Sequence, residues 1–214
     1  MMRNEAYDRF KDRLFQREFA PGQFLSQREL TVTLDMPIAS IRDAVRMLEQ
    51  EALIKVIPQR GIQITDVNVE LIRNAFGLRM IIEAAAVRHF IRFGSARIVE
   101  HIERETLRIL RASEGEITEA LLDEALRVDE LLHVSLVDSL DNKLVSETHR
   151  RNQDKIRLIR LQGRFTAERI GPAMEEHLAI IRAIRSGDAD AAVGSLEKHL
   201  MTARARGLGL DEGA

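Results

Sequence analysis

Asp129 and His133 stand four residues apart, so on a helix their side chains project from one face, a turn apart. His177 and His199 are more distant, but the turn Ser186-Gly187-Asp188 falls midway between them, with eleven residues from Asp188 to each. Two antiparallel helices flanking that turn place both imidazoles about 16 Å from it, side by side across the hairpin. One carboxylate and three imidazoles converging in a bundle suit a divalent transition metal, Zn2+ first, with Ni2+, Fe2+ or Mn2+ also compatible. Taken singly, each histidine reads as an ordinary capped surface or core residue; the joint spacing is what points to a metal. His149 is a lesser candidate for contact with the site, and His89 and His101 read as surface or structural residues. There is no cysteine, which excludes disulfides and thiolate metal sites.

A second constellation lies near the start. Arg28, Arg42, Arg46 and Arg60 fall on three elements that a winged helix-turn-helix brings to one face. The planar guanidinium fork can hold a phosphate or the O6/N7 edge of guanine. Ser40 is placed to donate to a phosphate, and Gly61 sits at the tip of the wing. Arg46 has an alternative, an ion pair with Asp43 or Glu49 on a solvated helix face. The net charge is −2, and the first 66 residues mix acids and bases about equally. Nucleic-acid contact must therefore come from a few placed cations.

The elements that would position these residues can be read from periodicity. Tyr7, Phe10, Leu14 and Phe15 recur at helical spacing within residues 4–19, and Pro21-Gly22 stops the run. Ser26 and Glu29 form a capping-box pattern opening a short helix to Leu34. Asp35-Met36-Pro37 turns the chain into a helix over 38–50, with Ile41, Val45 and Leu48 as its apolar stripe. Alternation then replaces helical spacing: Ile54 and Val56, the turn Pro58-Gln59-Arg60-Gly61, then Ile62 and Ile64 predict a two-stranded hairpin. Three helices and a hairpin make a winged helix-turn-helix over residues 1–66, with a linker at 67–69. Residues 70–207 are helical in pattern, with helices over 69–93, 96–113, 117–139, 142–162, 166–185 and 189–206. The breaks fall at Phe93-Gly94-Ser95, Ser113-Glu114-Gly115, Asp141-Asn142, Gly163 or Gly171-Pro172, and Ser186-Gly187-Asp188. The expected fold is mostly α: the winged domain followed by an all-α antiparallel bundle of six or seven helices. Residues 208–214 read as a flexible tail.

A chain of 214 residues, 45% hydrophobic and 31% charged, can bury two modest cores. The charged N-terminus has no secretory pattern, and no run of about 18 apolar residues occurs. The expected location is the cytoplasm, with no membrane partner.

The residues resemble the GntR family of transcription regulators, in its FadR-like branch with an FCD-type sensor domain. Pro21 to Leu30 resembles the family's opening motif, Ile41 to Glu49 its recognition helix, and Pro58 to Gly61 its wing. Asp129 to His133, and Glu176-His177 through His199, resemble the sensor motifs. The resemblance covers nearly the whole chain. It implies DNA roles for Arg28, Arg42 and Gly61, a homodimer on a two-fold operator, and repression as the commoner mode. It also implies a small organic acid as effector, bound at the metal's open positions with Arg79 anchoring its carboxylate. Arg79 has an alternative, a surface ion pair with Glu83 one turn on, and Arg157 and Arg160 are further candidates for the pocket. One departure is plain. Where the family usually has Ser or Thr followed by Arg at the start of the recognition helix, this chain has Pro37 and Ile38. Two other readings stay open: a regulator that senses the metal itself, and a helical metalloenzyme using the open position to activate water.

Overall fold

The computed structural model describes residues 2–162 and 166–210, in two compact units. The first comprises Met1–Ile72 together with Asp154–Gly163, and the second Arg73–Gln153 with Arg164–Ala214.

In the first unit, α1 (Met2–Phe15) buries Phe10 and Leu14. It ends earlier than the periodicity suggests because Arg17 takes a left-handed backbone, φ 66°. Phe19 then packs edge-on against Phe10 with ring centroids 5.4 Å apart. Helix α2 (Gln27–Thr33) opens on the expected capping box: Glu29 N–H donates to Ser26 Oγ, and Ser26 N–H donates to Glu29 Oε2. Helix α3 (Ile38–Gln50) starts on Pro37, whose side chain can accept no capping bond. It packs through Ile41, Ala44, Val45 and Leu48.

The wing is one strand larger than expected. Strands β2 (Ile54–Ile57) and β3 (Gly61–Ile64) form the antiparallel hairpin, and β1 (Phe24–Leu25) pairs on the other side of β3. The order is β1-β3-β2. Gly61 is required where it stands: φ is +99°, and an added Cβ would lie 2.6 Å from the Leu25 carbonyl oxygen.

The second unit is helical among the described residues. Its elements are α4 (Val69–Phe93), α5 (Ala96–Ala112), α6 (Glu119–Asp138), α7 (Lys143–Arg160), a 3-10 turn at Ala167–Arg169, α8 (Ile170–Ser186) and α9 (Ala189–Gly207). The boundary between the units divides α4 after Ile72 and α7 after Gln153. Residues 154–162, which the sequence pattern assigns to the second domain, thus group with the first unit. Gly171-Pro172 does not break the chain. Both residues sit in the first turn of α8, where a proline's missing N–H has no helical acceptor to lose. Gly163 and residues 211–214 of the expected tail lie outside the described residues. Gly187, at φ 75°, closes α8, and Asp188 caps α9 by accepting from Ala191 N–H.

Two apolar clusters fill this unit. One gathers Phe90, Leu132, Leu136, Leu178, Ile181 and Leu196, and the other Ile109, Leu121, Val128, Ile170 and Met174. On α6 and α8 the seam between them falls at Asp129 to His133 and at His177, the residues singled out by their chemistry.

Candidate functional site

At that seam four buried side chains converge. Asp129 and His133 come from α6, His177 from α8 and His199 from α9, and one donor atom of each lies within 4.8 Å of all the others. Asp129 Oδ1 is 3.4 Å from His177 Nε2, 3.8 Å from His133 Nε2 and 3.9 Å from His199 Nε2. Donors held at about 2.1 Å around one tetrahedral ion lie about 3.4 Å apart, so these spacings are near those of a single first-row metal. The His177 and His199 rings meet with centroids 4.7 Å apart, as the helical hairpin through Gly187 requires.

Two carboxylates behind the histidines set their tautomers. His133 Nδ1 is 2.6 Å from Glu83 Oε2, and His199 Nδ1 is 2.7 Å from Glu176 Oε2. Each carboxylate accepts from Nδ1–H, which leaves the lone pair on Nε2, the nitrogen that faces Asp129. His133 Nε2 and both nitrogens of His177 are buried with no hydrogen-bond partner among the described residues. Buried polar atoms are rarely left so, and a metal ion would engage His133 Nε2 and His177 Nε2, the nitrogens that face Asp129. Burial pushes His133 down to about 4, aided by Arg79 and opposed by Glu83. Burial likewise pushes His199 down to about 3 against its bond to Glu176. Both rings are therefore neutral near pH 7, the form that ligates.

Glu83 is the hub. Its Oε1 accepts from Arg79 Nε at 2.7 Å and lies 2.9 Å from His149 Nε2. Burial works to raise its carboxyl, but the Arg79 charge and the two histidines outweigh it and hold the group well below the usual carboxylate range. Burial also acts to raise Glu176, where the bond from His199 and the nearby arginines prevail and lower it. Arg79 is 0% exposed. Its pairing with Glu83 exists, but inside the bundle and not on the surface. Nη1 and Nη2 have no hydrogen-bond partner among the described residues, and Nη2 stands 3.8 Å from Asp129 Oδ2. A guanidinium fork thus ends beside the four donors.

In the first unit, Arg28, Arg42, Arg46 and Arg60 are all exposed. Arg42 Nε donates to Gln27 Oε1 at 3.3 Å, which ties α3 to α2 by one edge of the guanidinium. Arg60 lies over the Phe24 ring at 4.5 Å, so the added strand β1 supplies a platform for the wing arginine. Arg46 is 3.5 Å from Asp43, the pairing offered as its alternative. Ser40 does not join this face. It belongs to the packed stripe of α3 and is 9% exposed.

Comparison with known proteins places both halves. The profile of the bacterial regulatory proteins of the gntR family matches residues 2–64, and that of the FCD domain matches residues 74–202. The chain belongs to the GntR family of bacterial regulators and carries an FCD domain. It is 26% identical over 184 residues to the HTH-type transcriptional repressor RspR of Escherichia coli K12, covering 85% of this chain and 78% of RspR. A GntR transcriptional regulator from Rhodococcus sp. RHA1 shares the fold with a TM-score of 0.81 at 21% identity, covering 97% of each chain. The Zn2+-bound FCD domain of TM0439 aligns with 66% of this chain and 94% of its own, at a TM-score of 0.54 and 22% identity.

For this GntR regulator, the DNA-binding half is the helix-turn-helix and wing, and the FCD domain holds the four-residue cluster. Of the candidates named from sequence, Asp129, His133, His177 and His199 come together as a group. Among the described residues, His149 reaches the cluster through Glu83. His89 is tilted against Phe93 and His101 lies beside Arg104, both away from the cluster. Arg157 stacks over Phe15 and, with Arg160, belongs to the first unit and not to the FCD pocket. Glu83 and Glu176 were missed as orienting groups. For Glu176 a signal existed, since it stands twelve residues before Asp188 and His199 eleven after it, which makes the two near neighbours across the α8–α9 hairpin.

Proposed function

We propose that this GntR regulator is a repressor whose operator affinity is set by a small carboxylate bound at a divalent metal in the FCD domain. What supports this reading is the buried constellation: four converging donors, two of its histidines oriented by carboxylates, and beside them an arginine fork whose terminal nitrogens have no hydrogen-bond partner among the described residues and one of which stands 3.8 Å from Asp129. Asp129, His133, His177 and His199 would hold the ion, Zn2+ foremost. The ion supplies a Lewis-acid contact for a carboxylate oxygen. Arg79 orients the same carboxylate by a charge-assisted pair, Glu83 fixes Arg79, and the two apolar clusters on either side exclude bulk water. The Zn2+ in the FCD domain of TM0439 and the repressor role in the name of RspR support this reading.

On DNA, Arg28 of α2, Arg42 and Arg46 of α3, and Arg60 of the wing make the contacts, with Gly61 allowing the close turn of the wing. The regulator works as a homodimer on a two-fold operator. Helix α4 supports this, because Ile81 is 72% exposed beside exposed Leu78 and an added Cβ at Gly77 would meet nothing within 4 Å. Residues 1–66 form the DNA-binding part and 70–207 the sensing part. An effector that binds one conformer better shifts the population toward that conformer's operator affinity.

The test is elemental analysis of untagged protein, with His133→Ala, His177→Ala and His199→Ala alongside, followed by DNA-binding titrations against a panel of small carboxylates. About one metal per chain, lost in each variant, together with a carboxylate that weakens DNA binding only in metal-loaded protein, is the expected result. Metal-free wild type after incubation with zinc or nickel removes the centre of this reading. DNA binding that follows metal loading alone, with no carboxylate response, replaces it with direct metal sensing.

A further inference from the structure

Helix α3 offers solvent one large apolar side chain, and it does so at the helix's first turn. Ile38 is 42% exposed, whereas Met36 and Ile41 on either side of it are buried. Ile38, Arg42 and Arg46 succeed one another at intervals of four, so they line one side of the helix. Ala39, beside Ile38, is exposed as well. The packed stripe of Ser40, Ile41, Ala44, Val45 and Leu48 borders this row on its Ile38 edge, since Ile41 and Val45 follow Ile38 by three and seven residues. A single exposed isoleucine is unremarkable on most surfaces. Here it continues the arginine-bearing row of the helix that a winged helix-turn-helix lays in the major groove.

The groove narrows what such a side chain can recognise. Base edges there present hydrogen-bond donors and acceptors, and one apolar group, the C5-methyl of thymine. Isoleucine can neither donate to guanine nor accept from cytosine, and it cannot neutralise a phosphate. It can bury a methyl group. We infer that Ile38, at the head of the row it forms with Arg42 and Arg46, reads thymine through its C5-methyl in each operator half-site. The departure at Pro37-Ile38 then changes what this position reads and does not merely delete a polar contact. Four residues of helix rise about 6 Å, against about 3.4 Å per base-pair step. The thymine therefore lies within about two base pairs of the Arg42 contact.

The inference rests on α3 being the groove-reading helix, and the experiment separates the two claims. Operators are selected from a random duplex library with the full-length protein. Each thymine in the selected consensus is then replaced by deoxyuridine, which lacks only the methyl. One position per half-site should bind about fourfold more weakly, the size set by burial of one methyl-sized group. Ile38→Ala, confirmed as folded by circular dichroism, should bind thymine and deoxyuridine equally at that position and keep every other preference. Ile38→Arg should shift the selected base there to guanine. Equal binding of thymine and deoxyuridine throughout by the wild type overturns the inference while α3 remains the reading helix. A library that yields no common sequence overturns both.

Discussion

Glu83 serves three partners with two oxygens, and all four side chains are buried. Glu83→Gln keeps the shape but removes the charge that compensates Arg79, so a buried cation is left without its counter-ion. The expected cost is about 3 kcal/mol or more in urea unfolding, with zinc affinity falling about 10- to 100-fold as His133 loses its orienting partner. Glu176→Gln disturbs only His199 and a half-buried rim that includes Arg169. It should reduce zinc affinity over a similar range, read by competition with a chromophoric chelator, with little loss of stability. Equal stability losses in the two variants would show that Glu83 is no hub. These residues also mark where sequence reading stops. Asp129 and His133 announce themselves because one helix turn joins them, and His177 and His199 because one hairpin does. The contact between Glu83 and His149 spans 66 positions and two helices that no turn connects, so no local spacing foretells it.

Among the elements, helices with caps and apolar stripes are legible in the sequence, and the departures from it have local causes. The capping box at Ser26 and Glu29 is legible because both halves of the signal lie within one turn. Strand β1 escaped because two residues carry no alternation, and only its pairing with β3 defines it. Between Gly163 and Gly171-Pro172 the sequence does not choose the break, because the place of Pro172 within the first turn of α8 cannot be known until the start of the helix is. Two glycines separate conformational from steric need. Gly187→Ala meets only the left-handed backbone, since nothing lies within 4 Å of an added Cβ, and should cost about 1 kcal/mol. Gly61→Ala meets both a φ of +99° and the Leu25 carbonyl oxygen, so strand β1 must shift. Its expected cost is about 1–3 kcal/mol, with operator affinity lost as the Phe24 platform under Arg60 moves. Thermal melts and DNA titrations on the two variants check this order.

At the scale of the molecule, the four metal-binding candidates lie wholly in the second unit, and the helix-turn-helix and wing lie wholly in the first. Each unit has its own buried residues: Phe10, Leu30, Ile41 and Ile62 in the first, and the two clusters flanking Asp129 and His133 in the second. A metal that binds only folded protein stabilises by about 4 kcal/mol when free ion stands a thousandfold above its dissociation constant. That energy should fall on the second unit alone. Scanning calorimetry of the full chain should then show two transitions, of which chelation lowers one by several degrees and leaves the other in place. The unmoved transition is assigned by Leu30→Ala, which opens a cavity in the first core and should lower it by about 2–5 kcal/mol without touching the metal-dependent one. A single transition shifted as a whole by chelation would instead mean that the two units, whose boundary divides both α4 and α7, unfold as one cooperative fold, and metal loading would then act on the DNA-binding half through stability itself.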